Sequence, residues 1–190
     1  MIKNLLISIR STVLLWILTA VIYPAIILII GQGVFPYQAN GSLITNSEGQ
    51  VIGSALIGQT FKSDRYFWSR PSTVNYSEGQ AAAPTGVSGA SNLAPDHPEL
   101  RSRIDAEAQR LKRAGIQPTA DLLYTSGSGL DPHISPVAAQ AQLARVAGER
   151  SLSPDVIQAL ITQHTDHRFL GLFGEPGVNV LQLNLALDRL

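Results

Sequence analysis

Residues Ser11 to Ile30, STVLLWILTAVIYPAIILII, form a run of twenty without a charge, and the uncharged stretch continues to Ser47. As a helix rising about 1.5 Å per residue, such a run covers about 30 Å, the thickness of a bilayer's hydrocarbon core. A helix buried in a small soluble domain shows a polar face, and this run has none. Ser11, Thr12 and Thr19 can return their hydroxyls to the backbone, and Trp16 suits an interface. Pro24 is expected to kink the helix, with neighbouring helices satisfying the carbonyl it frees. A cleaved signal peptide would carry a shorter apolar run and small residues at the cut. Here Tyr37-Gln38-Ala39 puts a bulky residue where a small one is wanted. The segment reads as an uncleaved anchor.

Orientation follows from the basic residues. Lys3 and Arg10 precede the run, and no Lys or Arg follows until Lys62. The positive-inside bias therefore puts residues 1–10 in the cytoplasm, 11–31 across the membrane and 32–190 outside, in the periplasm. The expected fold class is α+β: one N-terminal transmembrane helix followed by one mixed α/β extracytoplasmic domain, with about 155 residues to build its core. Beyond the span, 12 basic residues face 14 acidic ones, a net charge of −2 that argues against a nucleic-acid partner. The absence of cysteine excludes disulfides and thiolate metal sites. No repeat recurs at a solenoid period.

Ser42–Thr45 and Gln50–Gly53, joined by Asn46-Ser47-Glu48-Gly49, predict a β-hairpin, and Ser54–Ile57 offers a continuation of its second strand. Phe61–Tyr76, FKSDRYFWSRPSTVNY, holds five of the chain's twelve aromatics among three basic residues. Two readings stand: a core cluster with snorkelling charges, or a docking patch, since Trp, Tyr and Arg are the usual interface anchors. Ser77–Pro95, rich in Ser, Gly, Ala and Pro, predicts a long irregular loop. Asp96, Pro98 and Glu99 then open a helix with Leu100, Ile104, Ala108 and Leu111 on one face, closed by Gly115.

Leu122-Leu123-Tyr124 reads as a short strand leading into SGSGLDPHISP. Ser135 caps a helix with Val137, Ala141, Ala144 and Ala147 inward. Ser153 caps another, with Val156 and Leu160 inward and Ile157 and Ile161 as further candidates. Val178–Leu190 fits a strand by its alternating leucines and a helix by its 3.6 period, and Asn179 as a cap favours the helix.

The strand–SGSG–loop–helix arrangement is the best candidate site. Backbone N–H groups of Gly-rich turns attract anions, which makes Ser126, Gly127, Ser128 and Gly129 candidate nucleotide-binding residues. The stretch nevertheless lacks the Lys and spacing of a P-loop, and a structural turn competes with the anion reading. A hydrolase built on Ser126 or Ser128 with Asp131 and His133 lacks the G-x-S-x-G elbow. His164, Asp166 and His167 could hold a metal, but no third ligand is evident beside the histidines. No catalytic residue and no metal site is therefore assigned.

Together, GSALIGQTF (53–61), YFWSRPS (66–72), SGSGLDPHISP (126–136) and VNVLQLNLALD (178–188), behind one N-terminal span, resemble the KdpC family of the bacterial Kdp potassium-transporting ATPase. SGASNLAP (88–95) departs from the family's usual SGGSNLGP at Ala90 and Ala94. The resemblance implies a non-catalytic subunit of a high-affinity potassium importer, partnered by KdpA, KdpB, KdpF and the bilayer. It implies no cofactor of its own, ATP being used through KdpB, the P-type ATPase whose ATP affinity the family is described as raising as a catalytic chaperone. The partner-docking candidates are Phe61, Tyr66, Phe67, Trp68, Arg70, Asp131 and His133. The alternative is a regulatory subunit that contacts ATP directly through 126–129. The charge bias puts the domain opposite the compartment that holds ATP, so any effect on ATP would travel through the membrane subunits.

Overall fold

The computed structural model describes residues 2–46, 48–79 and 86–190. They form two compact units, Met1–Ile52 and Gly53–Leu190. The whole is α+β, a single long apolar helix followed by mixed helices and short strands.

In the first unit, helix α1 (Ile2–Ile17), a π segment (Leu18–Ile22) and α2 (Tyr23–Val34) run on as one helix of 33 residues, with none of its apolar window buried against protein. The helix begins nine residues before the uncharged run, so Lys3 and Arg10 ride on its first turns. Pro24 does not break it. Tyr23 N–H reaches back to the Leu18 carbonyl, and this wider turn absorbs the donor that proline lacks. Thr19 Oγ1 donates to the Leu15 carbonyl at 2.8 Å, as expected of a hydroxyl on an apolar helix.

A four-residue turn, α3 (Pro36–Ala39), leads to strands β1 (Leu43–Thr45) and β2 (Val51–Ser54), which form the expected hairpin. The Asn46 side chain accepts from Glu48 N and Gln50 N, building the turn locally; Ser47 lies outside the described residues. β2 stops at Ser54 instead of continuing to Ile57. Ile57 N–H folds back on the Ser54 carbonyl in a turn.

The second unit is organised around α6 (Pro136–Arg150), α7 (Pro154–Gln163) and α8 (Val180–Leu187), with α4 (Pro98–Arg113) and the turn α5 (Ala120–Leu123). A small antiparallel sheet completes it, in the order β3 (His133–Ile134), β5 (Gly177–Asn179), β4 (Thr165–Asp166). Three of the four polar caps read from sequence hold: Ser135 Oγ accepts from Ala138 N, Ser153 Oγ from Val156 N and Asn179 Oδ1 from Gln182 N. The chain end is thus a helix, preceded by three residues of strand.

Four expectations are corrected. His97, not Asp96, caps α4, its Nδ1 accepting from Glu99 N. Leu122-Leu123-Tyr124 is not a strand. The Thr119 carbonyl accepts from both Leu122 and Leu123, closing one helical turn that drives Leu122 inward. In α6 the buried face is Ala138, Ala139, Gln142, Leu143, Val146 and Ala147, while Val137 and Ala144 face solvent. The larger Leu143 and Val146 carry more apolar area than the alanines that set the expected face. In α7, Ile157 and Ile161 are buried, Leu160 is half-buried and Val156 is exposed. The Ser77–Pro95 segment opens on the end of a 3-10 turn (Asn75–Ser77), and from Gly86 to Ala94 it is irregular; residues 80–85 lie outside the described residues.

Candidate functional site

The aromatic stretch lies along the core. Phe67 is fully buried and Trp68 and Tyr76 nearly so, while Phe61 and Tyr66 are half-buried, their rings 5.5 Å apart. Phe67 and Trp68 belong to no strand. Instead the buried Asn184 carboxamide accepts from Phe67 N at 2.9 Å and donates to its carbonyl at 3.0 Å. The buried Gln142 carboxamide does the same for Trp68, at 2.8 and 3.1 Å. Two amide side chains thus replace the ladder that would otherwise satisfy a buried backbone.

Arginines secure the flanks. Arg145 donates to the Tyr66 and Asp64 carbonyls and lies 4.2 Å from the Trp68 ring centroid, with Arg110 at 3.9 Å. Burial pushes the Arg145 pKa down to about 10, which still leaves it charged at neutral pH. Arg150 bonds Arg65 and Leu187 carbonyls and Asp188, which also accepts from the Tyr66 hydroxyl.

The Gly-rich turn docks on this segment. The buried Ser126 Oγ accepts from Ser128 N and Gly129 N, and Ser128 Oγ accepts from Leu130 N. Ser72 Oγ donates to the Gly129 carbonyl, and the Ser128 carbonyl accepts from Gly89 N and Ser88 Oγ. Gly129 sits at φ +68°, where a Cβ would fall 2.5 Å from Val74 Cγ2 and 2.7 Å from the Gly89 oxygen. Gly127 has open space around it. Three of the N–H groups that could cradle a phosphate are therefore already bonded to the turn's own hydroxyls.

The residues after the turn form a chain of charges. Arg70 Nη1 donates to Asp131 Oδ2 at 3.0 Å, and Asp131 Oδ1 accepts from His133 N. The His133 ring crosses β5 at Gly177, where an added Cβ would stand 3.3 Å from the His133 Cβ and 3.4 Å from its ring, and Nε2 meets Asp166 Oδ2 on β4 at 3.2 Å. Asp131 Oδ1 lies 3.6 Å from His133 Nδ1. The Asp131 carboxylate, and then Asp166, raise the His133 pKa above its usual value against the opposing effect of burial. Burial alone would push the Asp131 carboxyl up, but hydrogen bonds from His133 and the charge of Arg70 outweigh it and hold the carboxyl below its usual value.

A cleft of about 370 Å³ opens beside this chain, lined by Arg70, Asp121, Asp131, His133, Asp166 and Glu175 among others. Four carboxylates against one guanidinium and one imidazole suit cationic or donor-rich partners better than a phosphate. Phe61, Trp68 and Arg70 share a second cleft, of about 510 Å³, with Lys62, Tyr76 and Arg110. The docking candidates therefore fall in two places: Arg70, Asp131 and His133 meet at the charged cleft, whereas the Phe67 side chain is enclosed.

Sequence reasoning missed Asp166 as the partner of His133, and Gln142 and Asn184 as the brackets of the aromatic segment. A polar amide at a helix position flanked by inward apolar residues is the one signal that pointed to them. Among the described residues, no group of three or more His, Cys, Asp and Glu is arranged to hold a metal ion.

A family model described as "K+-transporting ATPase, c chain" matches residues 5–189. A Synechocystis sp. protein named potassium-transporting ATPase KdpC subunit is 74% identical over 189 residues, covering 100% of both chains. The Nostoc sp. potassium-transporting ATPase KdpC subunit 1 is 61% identical, covering 96% of this chain and 94% of its own. The Geobacter sulfurreducens potassium-transporting ATPase KdpC subunit is 46% identical, covering 99% and 98%.

Proposed function

The chain belongs to the KdpC family and is thereby a subunit of a potassium-transporting ATPase; on that premise we propose that it is a non-catalytic accessory subunit that assembles and stabilises the complex. Its partners are KdpA, KdpB and KdpF, embedded in the same bilayer. The positive-inside bias of Lys3 and Arg10 supports a cytoplasmic N-terminus, with the second unit in the periplasm. In this reading the chain raises the ATP affinity of KdpB without touching ATP, as a coupling free energy carried through the membrane subunits.

The observation that carries this reading is the Ser126–Leu130 turn, which spends its N–H donors on its own serine hydroxyls and so offers little to an external anion. ATP titrated against the detergent-solubilised full chain is expected to show no binding. The ATPase freed of this subunit is expected to need more ATP for half-maximal rate. Saturable ATP binding to the chain alone, abolished by Gly127→Ala, would replace the coupling reading with direct contact. Because native cysteine is absent, Ser88→Cys can be probed in intact cells with a membrane-impermeant maleimide. Labelling supports the periplasmic placement, and protection of that cysteine refutes it.

A further inference from the structure

The second cleft, about 510 Å³ in volume, opens where the aromatic segment meets α4, and the coupling reading makes no use of it. Its walls are held in place from within. Arg110 lies over the Trp68 ring, 3.9 Å from the centroid, while its Nε and Nη2 donate to the Glu107 carboxylate. The hydroxyl protons are committed as well. Tyr76 donates to the Arg70 carbonyl, Ser69 to the Gln59 carbonyl, Ser72 to the Gly129 carbonyl and Thr60 to Asn75 Oδ1. What the charged and amide groups leave unspent is all donor. Lys62 is exposed and makes no hydrogen bond or ion pair among the described residues, and Asn75 Nδ2 and Arg110 Nη1 carry no bond either. Arg70 Nε, in the same wall, is buried without a partner, a donor the protein itself does not satisfy.

We propose that this cleft binds a small organic acid, its single carboxylate held by Lys62, Asn75 and Arg110 and its apolar body set towards Phe61 and Trp68. A concave site with aromatic walls and a few convergent polar groups is the usual form of a small-molecule pocket. A guanidinium fixed by stacking and by its own carboxylate partner presents its remaining N–H groups to a planar carboxylate at little entropic cost. Charge limits the ligand to one negative group. Behind the walls, Asp131 pairs with Arg70 and Glu78 accepts from Thr60 N. With Glu107, these carboxylates match the three cations Lys62, Arg70 and Arg110, so a phosphate or polyphosphate would bring excess negative charge. The proposal goes beyond the accessory-subunit reading and stands or falls apart from it.

The test uses the full chain in detergent with Trp16→Phe, which leaves Trp68 as the one tryptophan. Benzoate is titrated at constant ionic strength and about pH 8, where it is ionised. The Trp68 emission should change along a saturating curve, half complete at about 1 mM or below. Asn75→Asp keeps the oxygen that Thr60 uses and replaces the amide donor by a negative charge. It should raise the half-saturating concentration about tenfold or more, and Lys62→Gln about threefold or more, with the melting temperature unchanged in both. No saturation, or saturation only above about 50 mM, leaves an adventitious contact and overturns the proposal. Benzylamine saturating as readily as benzoate overturns it too, since the cleft would then be merely apolar. Inorganic phosphate saturating at lower concentration than benzoate overturns the limit to one charge, and with it the carboxylate assignment. A benzoate curve unmoved by either substitution places the ligand elsewhere and is equally fatal.

Discussion

Two aromatic-rich stretches of the second unit meet opposite fates. Phe67-Trp68 is enclosed, and Phe169–Phe173 stands in solvent. Apolar content does not separate them, since both are bulky and both neighbour arginines. The difference lies in who satisfies the backbone. Phe67 and Trp68 depend on carboxamides from α8 and α6, more than seventy residues away, whereas the loop closes its hydrogen bonds on itself. A segment whose main chain relies on distant buried partners is fold. A segment that is self-contained in hydrogen bonding yet apolar outside is free to serve a surface.

The sharpest way to break this contrast is to remove an amide bracket. Asn184→Ala or Gln142→Ala should destabilise the chain by about 2–4 kcal/mol, because each leaves a donor and an acceptor buried unpaired and opens a cavity. Chemical denaturation of the detergent-solubilised chain measures it, and a loss under about 0.5 kcal/mol would dissolve the distinction. Gly129→Ala comes next, at about 2 kcal/mol or more, from positive φ and contact with Val74 and the Gly89 oxygen. Its neighbour Gly127→Ala should stay within about 0.5 kcal/mol, so equal effects at the two glycines would refute the packed-turn account.

Smaller is the pH response of the charge chain that straps the base of the exposed loop. His133 has a folded pKa raised above the ordinary 6.5, so its ion pairs contribute fully below that value and are lost as pH climbs through the raised one. His164, whose pKa burial lowers, acts with the opposite sign. The difference in melting temperature between wild type and His133→Gln therefore isolates the strap, and it should shrink as pH rises from about 6 to about 9. The least effect belongs to the loop: Leu170→Ser should leave unfolding free energy within about 0.5 kcal/mol, as for any exposed side chain.

What could be read from the sequence was whatever is encoded locally. The long helix, the hairpin at Asn46 and the Ser135, Ser153 and Asn179 caps each follow from a few adjacent residues, and each is present. What depends on packing was read less well. Alanine spacing on α6 fixes no face, because Leu143 and Val146 outweigh it, and Leu122–Tyr124 is too short for either period to win. At the site, proximity of Asp131 and His133 was visible, but Asp166 comes from another strand and reaches His133 only over a glycine. The loop at Phe169 went unnoticed because an apolar run looks the same whether it ends inside or out.

At Leu18–Ile22 the long helix carries what amounts to one inserted residue, and at 3.6 residues per turn that insertion swings everything beyond it by about 100°. The halves before and after the bulge therefore face different compass bearings, and a single rod presents two differently directed faces. Deleting Ala20 would bring the two bearings into line while leaving the hydropathy almost untouched, turning a two-sided post into a one-sided one.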